Sequence, residues 1–155
     1  VSALPARNPA TPIQRAMVAR LRADATLIAL LAPVKDSSPA VPAVVDQPAE
    51  GQNKPYIRVG DHLSIPDHDH TSSGREVTET LHIWTKTRTN KQGQDIADAV
   101  TASLDRQVEA FSALLELDGH RCVTIRQEFD QALEDPDPQI RHHVVRFRIQ
   151  TEQLS

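Results

Sequence analysis

Glu76-Val77-Thr78-Glu79-Thr80-Leu81-His82-Ile83-Trp84-Thr85-Lys86 is the stretch whose reading decides the fold. On an extended chain Val77, Leu81 and Ile83 point one way, while Thr78, Thr80, His82 and Trp84 point the other. This period of two marks a strand with one face on a core. Downstream, Thr89 and Asn90 offer caps for a helix that carries Ile96, Val100 and Leu104 at four-residue steps, with Ala97 and Ala102 beside them. Such a helix would cover the strand's apolar face.

The chain upstream reads differently. Tyr56 to Val59 is a short strand, followed by a polar stretch from Asp61 to Ser73 that reads as a loop. Residues 32–55 contain Pro33, Pro39, Pro42, Pro48 and Pro55, a composition that opposes both helix and central strand. A long extended loop is expected there, and removal of Ala40 to Asn53 should spare the core. Before it, Thr11-Pro12 with Gln14 gives a cap, a first-turn proline and a capping-box partner. A helical stripe through Ile13, Met17 and Leu21 continues past Asp24, a second cap, to Leu31, as one bent helix or two.

Beyond the central helix, Leu114 to Leu117 and Arg121 to Phe129 flank Asp118-Gly119, a hairpin signal. A three-residue loop would place Ala113 and Leu115 on the face of Val123 and Ile125, and it is the reading adopted. Asp130 to Gln139 is an exposed loop. Ile140 to Glu152 is a last strand with Val145, Phe147 and Ile149 inward and Arg146, Arg148 and Gln150 outward. Helices segregated from strands predict an α+β fold: a mostly antiparallel sheet, helices packed on one face, and a long proline-rich loop. Residues 1–10 read as an N-terminal extension and 11–155 as one domain. There is no internal repeat.

Composition limits the functions. The chain has 155 residues, 39% of them hydrophobic and 25% charged, enough for one packed domain. With only 3% aromatics, Phe111, Phe129 and Phe147 are the large pieces available to its core. A net charge of −4 gives no footprint for gripping nucleic acid. The single cysteine, Cys122, excludes an intrachain disulfide and suits a reducing cytoplasm. The sequence has no apolar run of membrane-spanning length, and Val1 to Asn8 has no secretory pattern, so no membrane role and no secretion are expected.

No catalytic constellation emerges. Asp61, His62, Asp67, His68, Asp69 and His70 are metal-ligand types, but they sit among turn-forming residues where they would be solvated, and no metal site is assigned. His142 and His143 are adjacent on a strand and face opposite sides: one outward, one near the core edge. Cys122 lies mid-strand with no base beside it. Asp135 and Asp137 alternate with prolines in a stiff turn, and no phosphate loop exists. Neither catalytic residue nor cofactor is expected. The outward face is more informative. Trp84 lies there with Arg146 and Arg148, the residue types enriched at the centres of protein contacts, which makes these three the candidate subunit interface.

In order and spacing these pieces resemble the tail-completion, or tail-terminator, proteins of long-tailed bacteriophages. The resemblance spans Thr11 to Gln153. It rests on the opening helix Ile13 to Leu31, on Pro55-Tyr56-Ile57-Arg58-Val59 after the proline-rich loop, and on Val77 to Thr85. The helix around Ile96, Val100 and Leu104 and the closing Arg141 to Ile149 strand complete it. It implies a structural virion protein of the tail and neck, assembled in the host cytoplasm and not an enzyme. Its partners would be copies of itself in a hexameric ring, the tail tube protein and a head-side connector or stopper, with DNA passing through the channel without specific binding. The alternatives are another neck, head-completion or minor tail protein and, from a different class, a small metal-dependent hydrolase using the His/Asp stretch.

Overall fold

The computed structural model describes residues 7–68, 73–105 and 116–154. Two helices, α1 (Ala10–Ala23) and α2 (Ala25–Leu30), precede strands β1 (Val44–Val45), β2 (Tyr56–Pro66) and β3 (Gly74–Lys86). Helix α3 (Lys91–Leu104) follows, then β4 (Glu116–Leu117), β5 (His120–Leu133) and β6 (Ile140–Gln153). The fold is α+β. Six strands form one sheet in the order β1-β2-β3-β6-β5-β4, antiparallel except for the β1–β2 pair.

Asp24 decides that the opening stripe is two helices. Its extended backbone ends α1, and its carboxylate accepts from the amides of Thr26 and Leu27 to start α2. The capping box expected at Thr11 does not form. The helix starts two residues earlier, at Ala10 after Pro9, without a side-chain cap, and the Asn8 side chain accepts from the Ala10 amide instead.

The core is one cluster. Ile13, Met17, Leu21 and Leu27 from α1 and α2, and Ile96, Ala97, Val100 and Leu104 from α3, meet Ile57, Val59, Val77, Leu81, Ile83, Val145, Phe147 and Ile149 from the sheet. β3 and β6 face one another in unbroken register from Gly74↔Glu152 to Lys86↔Ile140, so odd positions of both strands share the core side. His143 is on that side and buried, with His142 on the other, as alternation predicts. Its imidazole lies directly over Gly93 of α3: a Cβ there would stand 2.3 Å from Nδ1. Gly93→Ala should therefore destabilise by about 2 kcal/mol, the overpacking cost outweighing the gain in helix propensity. The penalty should vanish in a His143→Ala background, a cycle that thermal unfolding can measure.

Several expectations need correction. Residues 32–55 are not free of the core, because Ala43 and Val44 are fully buried and Val44 pairs with Ile57. Deleting Ala40 to Asn53 would remove core as well as loop. The stretch from Asp61 to Pro66 is strand, not loop. A bulge between Gly60 and His62, with Asp61 at φ 60, re-aims β2 and lets it run on beside β3. The hairpin loop has two residues, since Leu117 pairs with His120 and Gly119 takes φ 72. The three-residue loop needed Val123 and Ile125 on one face, which assumes unbroken alternation. A bulge between Cys122 and Thr124 breaks it, so Cys122 and Ile125 are buried while Val123 is exposed. Ala113, Leu115 and Phe111 lie outside the described residues. Phe129 is no core residue: it follows the second β5 bulge, on the outer face, and is 37% exposed.

Candidate subunit interface

The sheet's second face is built from the even positions of β3 and β6. Trp84 pairs with His142, His82 with Val144, Thr80 with Arg146 and Thr78 with Arg148. All three candidate residues thus share one face, as predicted, but not one patch. Arg146 lies opposite Thr80, four residues from Trp84, or about 13 Å along a strand.

Trp84 is half-buried, with the His142 ring stacked on it at 3.9 Å between centroids and 9° between planes. The stack continues laterally. His142 Nε2 is 2.8 Å from His82 Nδ1, and His82 Nε2 is 2.7 Å from an Asp61 carboxylate oxygen. The bond to His82, helped by the Arg58 guanidinium, holds the Asp61 carboxyl below its usual range. Burial, and then the adjacent His82, push His142 down, favouring a neutral ring against the indole. This chain fixes Trp84 in orientation, and the register that assembles it depends on the β2 bulge. Sequence reasoning did not find it.

The arginines are also held. Arg148 bridges Glu76 at 3.2 Å and Glu128 at 2.6 Å, and the Arg146 guanidinium lies 5.0 Å from the Phe129 ring centre. Around them the face exposes apolar side chains: Leu63 and Ile65 on β2, Phe129 and Leu133 on β5, each at least 37% accessible. Cross-strand partners place these four on the same side as Thr78, Glu76, Arg146 and His142.

The metal-ligand types of the 61–70 stretch disperse. Asp61 turns to His82, His62 lies 4.0 Å from Glu79, and His68 bonds to Ser73. Asp69 and His70 lie outside the described residues, and among the described residues no three such side chains converge on one point. Asp135 and Asp137 each accept a backbone amide two residues on, which accounts for them as turn formers. No helix among the described residues is long and apolar enough to cross a membrane.

Sequence reasoning also passed over Glu79, although its odd position was a signal. It is fully buried on the core face between His62 and Phe147, and neither carboxylate oxygen has a hydrogen-bond partner. Burial, with the nearby charges of Asp61 and Asp46, pushes its pKa from 4.5 to about 7.

Comparison with known proteins fixes what this framework is. The family model described as tail completion protein gp17 matches residues 15–152, nearly the whole described fold. The chain belongs to this family. It is a tail-completion protein, a structural component of the virion. The tail completion protein gp17 of Bacillus phage SPP1 is 27% identical over 105 residues, covering 68% of this chain and 73% of that protein. Among solved structures, a chain from the virion of the native gene transfer agent particle superposes with a TM-score of 0.77 at 25% identity. That match spans 93% of this chain and 97% of the other. The family model's match over residues 15–152 takes in β2, β3 and nearly all of β6, the strands that carry the outer face described above.

Proposed function

We propose that this tail-completion protein works as one subunit of a homo-oligomeric ring, a hexamer by family resemblance. The ring terminates the tail tube, meets the head-side connector or stopper, and leaves an axial channel through which DNA passes without specific binding. The observation that carries the reading is the outer sheet face. With the helices packed on the other face, Trp84, Arg146 and Arg148 are left beside exposed Leu63, Ile65, Phe129 and Leu133. An apolar surface rimmed by charge is the kind that assembly covers. The net charge of −4 suits a channel that DNA slides through, because like charge repels where a basic lining would hold.

The mass of the assembled particle, with and without purified tail tubes, tests the ring; a chain monomeric under both conditions would refute it. Trp84→Ala should weaken association by about 2 kcal/mol, the size of an interfacial hot spot. The variant should remain folded, because Trp84 is outside the core cluster. Association unchanged in a folded Trp84→Ala protein would remove this face from the contact.

A further inference from the structure

We propose that the β5–β6 hairpin is an acidic arm that seats against the α1–β1 edge of the next copy of this chain. The contact rests on the ring reading above and assigns the surfaces that close it.

The arm is residues 128–139. All but the half-buried Asp135 are exposed, although the facing stretch of β6 is largely buried. Five carboxylates, Glu128, Asp130, Glu134, Asp135 and Asp137, lie in these twelve residues without a lysine or arginine. Glu128 pairs with Arg148, and the other four make no ion pair among the described residues. The net negative charge of the whole chain is no larger than that of this arm.

The receiving surface has the opposite sign. Helix α1 carries Arg15, Arg20 and Arg22 and no acidic residue. Between it and the edge strand β1 runs a groove of about 510 Å³, with Arg15 and Arg22 on its walls, Val18, Ala19 and Val45 as its accessible apolar part, and Asp46 as its one acid. The arm brings matching chemistry, with Phe129 and Leu133 exposed beside its carboxylates.

Backbone geometry agrees. The protein closes its own sheet edges only so far. On β5, β4 pairs with His120 and Arg121, and Asp105 of the α3 cap accepts from the Gln127 amide. From Glu128 to Leu133 the outer edge has no partner among the described residues. β1 is the opposite edge of the same sheet, and it runs in the reverse direction to β5. Copies repeated by rotation would therefore set the arm antiparallel to the next β1. Such a head-to-tail contact closes into a ring when the rotation divides the circle.

Charge exchange tests this. Asp130→Arg with Glu134→Arg reverses the sign at two arm positions and cuts the arm's net charge from −5 to −1, and Arg15→Glu reverses one groove position; none of the three side chains has a hydrogen bond or ion pair among the described residues that the change would break. Sedimentation of the full chain, alone and with purified tail tubes, reads the assembly constant. Each change alone should weaken assembly by about tenfold or more, and the combined variant should recover part of the loss through the re-formed opposite-charge pairs. Added salt should weaken the wild-type ring, because it screens the attraction between the arm and the groove. Single reversals that leave a wild-type ring intact would overturn the arm contact and leave the ring reading standing. Weakening without recovery in the combination would show that the charges act elsewhere, which also overturns it. A wild-type chain that never assembles would remove both.

Discussion

Phe147→Ala is expected to cost about 4 kcal/mol of folding stability, the largest effect of any single truncation considered for this chain. In a protein with 3% aromatics, few large side chains are available to fill space, and Phe147 is a fully buried one on β6. Around Phe147, β6 is paired on both sides, with Glu79 of β3 and Gln127 of β5, so the backbone cannot move inward to fill the space. The missing ring leaves a cavity with little means of collapse, the condition under which truncation costs most. Urea unfolding of wild type and variant reads the difference directly. A loss under about 1 kcal/mol would mean that the helices close over the gap, and that the core is looser than its close-packed cluster implies.

The second large effect depends on pH. Glu79 has an ordinary pKa of 4.5 when unfolded and about 7 when folded, because burial penalises its charged form. Folding therefore takes up a proton between these values. For a carboxyl raised on folding, stability is highest below the unfolded pKa and falls as pH rises through the window from about 4.5 to about 7. Above it the folded state carries a buried charge at a cost of about 3 kcal/mol. Glu79→Gln should thus unfold at nearly the wild-type point at pH 4.5 but gain about 3 kcal/mol at pH 8. Denaturation at the two pH values decides it. Equal stability of both proteins at pH 8 would show that His62, 4.0 Å away, moves in and pairs with the carboxylate. The two predictions meet in one place, since Glu79 and Phe147 are cross-strand neighbours. Opening a cavity at Phe147 should admit water to Glu79 and shrink the pH dependence.

Much of the framework was legible because it is periodic. Alternation placed β3 and β6 and the sides of Trp84, Arg146, Arg148, His142 and His143; four-residue steps placed α3; and Asp24 was recognised as a second cap. What failed did so where periodicity is interrupted. The bulges at Gly60/His62, Cys122/Thr124 and Gln127/Phe129 each shift the side-chain pattern by one residue. They turned a loop into the second half of β2, reversed Val123, and took Phe129 out of the core. Bulges have no fixed residue signature, because they are set by how two strands must bend together.

By itself, then, the sequence determined the α+β class, the order of the elements and which residues of the long strands face away from the core. These depend on local propensity and on a side-chain period that each segment carries within itself. The tertiary structure alone decided which of those residues meet. Asp61 reaches His82 and His82 reaches His142 across three strands, Glu79 is left without a hydrogen bond in the core, and the acidic arm lies at the edge opposite the basic groove. Strand order and bulge positions are properties of the whole sheet: they come from satisfying every backbone hydrogen bond and burying the apolar faces together, and no segment specifies them alone.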